Sequence, residues 1–121
     1  MNDLKKIGTD VSKPFLETAP WLIAVSAKRY GINEKGPRQK HFCVPESVGI
    51  ATGFLINALH HLGIATLTHT PAPMKFLNQI LGRPSNERPY VLLVVGHPAQ
   101  TAMVPRAATE KKSLEQIATF I

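Results

Sequence analysis

The sequence contains a single cysteine, Cys43, and no long apolar run. One cysteine excludes an internal disulfide framework and fits a reducing compartment. The first residues, MNDLKK, carry two lysines without an apolar segment after them, so no secretory signal is predicted. No stretch reaches the roughly 18 apolar residues of a membrane span. From these absences we expect a soluble, cytoplasmic domain with no membrane partner.

Motifs for metals, phosphates and nucleic acids are also missing. There is neither a GxxxxGK[ST] nor a GxGxxG loop. His60 and His61 are adjacent, so on a helix their side chains point about 100° apart and cannot chelate together, and no further ligand set is evident. No metal site is therefore predicted. Most aromatic residues, such as Phe54 and Tyr90, lie in apolar runs, so a nucleic-acid module is the weakest of the functional interpretations.

The charge that is present is unevenly distributed. Lys and Arg number 14 against eight acidic residues, a formal charge of +6, and Met1–Pro45 carries eight basic and four acidic residues. The basic segment Lys28–Lys40, KRYGINEKGPRQK, contains two glycines and a proline and is predicted to be a loop. Two interpretations of it stay open: a solvated connection, or a docking surface for an anionic partner.

Apolar periodicity predicts an α+β fold of about three strands and three or four short helices. WLIAVSA and YVLLVV indicate strands covered on both faces, and Ile64–Thr70 indicates a third strand. Helix ends are predicted at Gly8, Gly63 and Gly82, and a helix start at Pro14. The remaining predicted segments are a helix tail at Asp3–Ile7, a short helix in MKFLNQIL and an amphipathic segment at Ser113–Ile121.

The segment Glu46–Leu62 predicts a central helix. Its first turn offers a proline and a carboxylate, and Ser47–Leu59 contains no charge. Because its apolar residues occupy every side, we expect the helix to be buried all round, with Gly49 and Gly53 allowing another backbone to come close. A chain of 121 residues can hardly cover such a helix. We therefore expect either a second copy or additional sequence before Met1 to supply the missing neighbours.

Three threonines alternate in TLTHTPAPM. In a strand, Thr66, Thr68 and Thr70 would present three hydroxyls on one side and leave Leu67 and His69 on the other. One interpretation is the solvent side of an edge strand, since threonine favours strands. The other is a ligand site, because hydroxyls buried near the central helix need partners and a flat, acceptor-rich heteroaromatic ring would supply them.

The stretch HFCVPESVGIATGFLINALHHLGIATLTHTPAPMKFLNQILGRPSNERPYVLLVVGHPA resembles the C-terminal half of FMN-dependent nitroreductase-family proteins, especially the iodotyrosine deiodinase branch. The likeness extends upstream through DLKK and FLETAPWLIAV and downstream through VP and SLEQI. It implies that residues 1–121 form a single nitroreductase-like domain without the N-terminal part of the family fold. It also implies an intertwined homodimer with the helix from Glu46 in its core and FMN at the interface.

The resemblance implies roles for five residues. Thr70 would place its hydroxyl near the flavin N5, where the deiodinase branch tunes one-electron flavin chemistry, and Thr68 and His69 would line the same edge. Lys111 takes the place of a flavin-contacting arginine, although a lysine cannot make the same forked contact. Lys13 matches the lysine that holds the zwitterion of an amino-acid substrate.

The implied activity is reduction of nitro-, quinone- or halo-aromatic substrates by FMN, with NAD(P)H as electron donor. The family's Arg/Ser motif for the FMN phosphate matches no residues of this sequence, so weak FMN binding is expected, because each lost charge-assisted hydrogen bond costs about 1.5–3 kcal/mol. The alternative is a redox-inactive fragment that keeps only the core and the dimerisation surface.

Overall fold

The structure is a computed structural model that describes residues 11–32 and 36–121. The helix tail predicted at Asp3–Ile7 and the stop at Gly8 lie outside the described residues. The described chain forms two compact units. Phe15–Pro98 is the larger unit, and the smaller one combines the described residues before Phe15 with Ala99–Ile121.

The larger unit mixes helices and strands without a βαβ rhythm, as predicted for an α+β fold. Its elements, in chain order, are α1 (Phe15–Thr18), β1 (Trp21–Lys28), β2 (Tyr30–Gly31), β3 (Gln39–Lys40), α2 (Val44–His61), β4 (Ala65–His69), α3 (Phe76–Ile80) and β5 (Glu87–Gly96). The smaller unit contains α4 (Arg106–Thr109) and α5 (Leu114–Ile117). The amphipathic segment predicted from Ser113 to Ile121 is thus helical for four residues only, starting where the Ser113 N–H donates to Gln116 Oε1 at 3.0 Å.

Three strands form an antiparallel sheet in the order β1-β5-β4. Ile23 of β1 and Thr68 of β4 both pair with Leu93 of the central strand. The register of β1 against β5 shifts between Val25 and Ser26, next to Pro89. Proline has no N–H for the ladder and is therefore tolerated at such an irregularity.

The core lies between this sheet and α2. Val91, Leu93 and Val95 form its buried centre. The partly buried residues packed against them come from β1, α2 and the residue before β4: Ile23, Val25, Leu55, Ile56, Leu59 and Ile64. The predicted burial of YVLLVV is confirmed from Val91 to Val95.

The prediction that WLIAVSA is covered on both faces is wrong. Trp21 is 70% exposed and Leu22 is also exposed. Among the described residues β1 pairs with β5 alone, so its side chains have fewer neighbours than those of the central strand.

Helix α2 begins two residues earlier than predicted and ends before Gly63, whose φ of 73° confirms the predicted stop. Its all-round burial is wrong for this chain: Thr52 is its buried residue, whereas Ile50 is 62% and Phe54 72% exposed. The sheet covers one side of α2, and the described residues provide no second layer for the other.

The two helix glycines do not approach a backbone as expected. A Cβ on Gly49 would meet the Tyr90 hydroxyl at 3.3 Å, and one on Gly53 would meet nothing within 4 Å.

Four described residues of the basic segment are paired as strands. β2 and β3 pair as a short antiparallel hairpin, with Tyr30 opposite Lys40 and Gly31 opposite Gln39. The prediction of a plain loop is therefore wrong at these four positions. Residues 33–35 of the segment lie outside the described part.

Candidate functional site

The threonine row lies on β4 at the edge of the sheet. Thr66 pairs with Val95 and Thr68 with Leu93, so both threonines share the sheet face that α2 covers. Leu67 and His69 therefore lie on the opposite face, because side chains alternate along a strand. The predicted alternation is confirmed for Thr66 and Thr68, while Thr70 lies one residue beyond the strand.

The expectation that all three hydroxyls are held in a buried region is wrong. Thr66 is half-buried, but Thr68 and Thr70 are exposed, because β4 has a strand neighbour on one edge only. None of the three side chains hydrogen-bonds to another described residue. Both exposed hydroxyls are thus available to a ligand.

His69 is positioned by an aromatic contact. Its ring meets the Phe15 ring edge-on, with the centroids 5.8 Å apart and the planes at 83°. This T-shaped arrangement is the preferred geometry for two such rings. The contact joins α1 to the end of β4. It also holds the His69 ring in position between the two exposed threonines in the sequence.

Thr70 lines an open cleft of about 1520 Å³ that lies wholly within the larger unit. Its walls are the β2–β3 hairpin, the start of α2, the segment after β4 and the start of β5. Five basic side chains line it: Arg29, Arg38, Lys40, Lys75 and Arg88. Its acidic lining residues are Glu46 and Glu87. We call this feature the basic cleft.

One of the two carboxylates already has a partner. Arg83 Nε and Nη2 donate to the two carboxylate oxygens of Glu87, each at 2.8 Å. These hydrogen bonds lower the pKa of the Glu87 carboxyl below its ordinary value, and the same bonds raise the pKa of Arg83. The forked geometry is the strong form of such a pair.

The structure places Lys13 and Lys111 in the smaller unit, whereas Thr68, His69 and Thr70 are neighbours in the larger one. Lys13 is half-buried. Lys111 is exposed, and its Nζ donates to the Ala108 carbonyl oxygen at 2.7 Å.

Two of the five cations that line the basic cleft could not be predicted from the sequence. Arg29, Arg38 and Lys40 belong to the basic segment and could be suspected from it. Lys75 and Arg88 are isolated cations in the sequence, and the fold alone brings them to the same cleft.

The described residues hold neither a metal-ligand cluster nor a helix that could span a membrane. Residues 11–32 and 36–121 contain no group of three or more His, Cys, Asp or Glu side chains that could hold a metal ion. Within the same part of the chain, no helix has both the length and the apolar character needed to cross a bilayer.

Sequence comparison identifies relatives over most of the chain. The pattern of the nitroreductase family matches residues 2–97. An iodotyrosine deiodinase of Haliscomenobacter hydrossis is 52% identical over 113 residues, which cover 93% of this chain and 51% of that protein. An iodotyrosine deiodinase of Nematostella vectensis is 40% identical, covering 97% and 44%, and iodotyrosine deiodinase 1 of Mus musculus is 41% identical, covering 97% and 41%. The chain therefore spans about half the length of these relatives, or somewhat less.

Structural comparison gives the same fold. The crystal structure of an oxidised iodotyrosine deiodinase bound to FMN and 3-iodo-L-tyrosine matches with a TM-score of 0.66 and 28% identity, over 89% of this chain and 52% of that one. A nitroreductase family protein from Clostridium difficile matches with a TM-score of 0.64 at 18% identity, over 98% and 66%, which supports the fold alone. With the family pattern matched over residues 2–97, this chain belongs to the nitroreductase family.

Proposed function

We propose that the chain is part of an FMN-dependent oxidoreductase that reduces nitro-, quinone- or halo-aromatic substrates with electrons from NAD(P)H. The observation that carries the proposal is the structural match to an iodotyrosine deiodinase bound to FMN and 3-iodo-L-tyrosine over 89% of this chain. The 52% identity to a bacterial relative of that name supports the halo-aromatic class among the three. A cytoplasmic location, with which a single free cysteine is compatible, is part of the proposal.

The exposed end of β4 fits one edge of a flavin. FMN, when bound, would supply the electron-transfer chemistry of the reaction. The Thr70 hydroxyl would donate a hydrogen bond to the flavin N5, and Thr68 and His69 would support the same edge of the ring. The donor chemistry suits this role, because the two threonine hydroxyls are exposed and have no hydrogen-bond partner among the described residues.

Lys111 and Lys13 complete the proposed set. Lys111 would assist flavin binding as a positive charge, and its ammonium group has two further protons besides the one donated to Ala108. Lys13 would hold an anionic group of the substrate.

We further propose that the functional unit is a homodimer that pairs through the exposed side of α2. That side presents Ile50 and Phe54, two large apolar side chains, next to the open position at Gly53. Burying each of them against a second copy would stabilise the dimer by about 1.5–3 kcal/mol. Flavin sites at this interface, as implied by the family, are part of the same proposal.

A titration of FMN with the 121-residue chain tests the proposal. We expect saturable quenching of flavin fluorescence, with weak affinity. The control is Thr68→Val/Thr70→Val, which removes both hydroxyls at nearly constant volume and should weaken the binding. An absence of quenching at high micromolar concentrations would contradict FMN binding by this chain.

A second candidate is a redox-inactive polypeptide that keeps the core and the self-association surface. The observation that favours it is coverage, because the chain matches between 41% and 51% of the length of the three named relatives. It predicts dimerisation without flavin binding, so light scattering and the FMN titration together separate the two candidates.

A further inference from the structure

The basic cleft has a charge imbalance that the flavin proposal does not use. Thr70 is the only member of the proposed flavin edge that lines it, whereas five cations do. From the chemistry of this lining, we propose that the basic cleft binds a nucleotide that carries at least two linked phosphate groups.

The first argument is that the cations of the cleft have no carboxylate partner among the described residues. No carboxylate of the described residues lies within salt-bridge distance of Arg29, Arg38, Lys40, Lys75 or Arg88. Glu87 is committed to Arg83, which leaves Glu46 as the unpaired carboxylate in the lining. A concave surface with an excess of positive charge attracts a ligand of opposite charge. An anionic ligand is therefore the complementary occupant.

The second argument is that the backbone that carries the hairpin cations is anchored. The Arg29 N–H donates to the Asn86 carbonyl oxygen at 2.9 Å, and Asn86 Nδ2 donates to the Tyr30 carbonyl oxygen at 2.8 Å. Asn86 is 4% exposed, so this anchor is buried. The His41 N–H closes the other side of the hairpin by donating to the Arg29 carbonyl oxygen at 3.0 Å. Because this backbone is already ordered, only the cationic side chains lose conformational freedom on binding.

The third argument concerns the distribution of the cations. Three stand on or beside the hairpin, Lys75 stands on the segment after β4, and Arg88 stands on β5. A cation on one of these elements is enough to bind a single phosphate. Linked phosphates carry several anionic oxygens and can bind cations on more than one element. The volume also exceeds the 300–1,000 Å³ of usual ligand pockets, which leaves room for the rest of a nucleotide.

The fourth argument is the presence of aromatic faces beside the charges. Arg38 lies over the Tyr30 ring at 5.0 Å, and Lys40 lies over the Phe42 ring at 5.5 Å. Phe42 is 77% exposed, so its ring is accessible to a second planar group. A base stacked on such a ring gains about 1–3 kcal/mol without regard to base identity.

Two sources can supply this chemistry. One is a pyridine dinucleotide that donates electrons beside Thr70, a reading that rests on the proposed function. The other is a free nucleoside diphosphate that binds in the same cleft without taking part in electron transfer. Both place linked phosphates among the five cations.

Calorimetric titration of the 121-residue chain with ADP at low ionic strength tests the proposal. We expect saturable binding, with AMP at least about tenfold weaker. Lys40→Gln/Arg88→Gln should weaken ADP binding by about tenfold or more. The matched control, Arg106→Gln/Lys112→Gln, removes the same two residue types and changes the net charge equally. Its ADP affinity should stay within about twofold of the original, because neither residue lines the cleft.

Circular dichroism checks that each variant is folded, and Lys75→Gln, on an irregular segment, replaces the double variant if that one unfolds. Displacement of ADP by NADPH would identify the dinucleotide as the source, and ADP binding indifferent to NADPH would identify the free nucleotide. The proposal is overturned by unsaturable ADP binding, by AMP binding as tightly as ADP, or by equal losses in the cleft variant and the control. If ADP binds but FMN fluorescence is not quenched, the proposed flavin binding by this chain is contradicted. The proposed nucleotide site in the basic cleft is then still supported.

Discussion

At Thr70 the hydroxyl can be removed by substitution without disturbing the fold. It follows β4, is exposed, and lines the basic cleft. Its side chain has no hydrogen bond to a described residue, so removing the hydroxyl breaks nothing within that part of the protein. Any effect of its replacement on flavin behaviour would therefore report on the proposed contact.

Thr70→Ala should change how much one-electron-reduced flavin accumulates when FMN-loaded protein is titrated with a reductant. The physical reason is that a hydrogen bond to N5 stabilises the oxidation states of the ring unequally. Thr70→Ser keeps the hydroxyl and should behave like the original protein, and Thr66→Ala, on the covered face, should do so as well. Identical absorbance changes in Thr70→Ala and the original protein would remove Thr70 from the role.

The Arg83–Glu87 pair predicts that the free energy of unfolding decreases at acidic pH. Because folding lowers the pKa of the Glu87 carboxyl, its contribution is present above the unfolded value of about 4.5 and is lost as the pH falls through the folded value. Thermal melts should show Glu87→Gln losing less stability than the original protein as the pH falls below about 4.5. Arg83→Gln removes the other partner and should show the same flattening. Parallel pH profiles for all three proteins would contradict the prediction.

The sequence predicted part of the candidate site for a simple reason. A strand has a period of two, so the spacing of Thr66 and Thr68 fixes their common face regardless of the rest of the fold. The basic cleft could not be predicted in this way. Lys75 and Arg88 reach it from separate elements, and Asn86 supports it through one side-chain and one backbone hydrogen bond that composition does not reveal.

At the scale of secondary structure, two apolar segments of similar composition meet different environments. β5 is buried from Val91 to Val95 because it has a strand on each side and α2 across one face. β1 leaves Trp21 and Leu22 exposed because it forms an edge. Apolar composition predicts that a strand exists, but the order of strands in the sheet decides how far each is buried.

The same reasoning gives α2 a testable role. Its uncovered side carries Ile50 and Phe54, so Ile50→Asp/Phe54→Asp should convert a dimer into a monomer. An unpaired charge buried in the interface costs about 3–5 kcal/mol, which corresponds to more than a hundredfold in the dimer dissociation constant. Sedimentation measures this, and circular dichroism should show an unchanged helix signal because neither side chain lies in the core.

Ile80→Asp is the matched control for the α2 variant. Ile80 is 71% exposed on α3, so it offers the same chemical change on another helix. It should leave the dimer intact. Monomers in both variants would mean that general loss of apolar surface, and not the face of α2, controls association.

For the whole molecule, stability and cofactor binding should be coupled through the second copy. In the described part of the larger unit, a three-stranded sheet and one long helix enclose a small core, and α2 exposes one side of its length. A partner that covers this side adds apolar burial that one copy cannot provide. The predicted all-round burial of α2 fails for one chain and would be met only if the proposed second copy covers this side.

If flavin sites form only where two copies meet, the monomeric variant should also lose FMN affinity although no proposed flavin contact is altered. Binding free energies are reciprocal, so FMN should in turn tighten the dimer of the original protein by the same factor by which dimerisation tightens FMN binding. Fluorescence titrations of the original protein, Ile50→Asp/Phe54→Asp and Ile80→Asp, combined with sedimentation with and without FMN, measure both sides of this coupling. Equal FMN affinity in the monomeric variant and the dimer would place the flavin within one copy and separate dimerisation from the proposed chemistry.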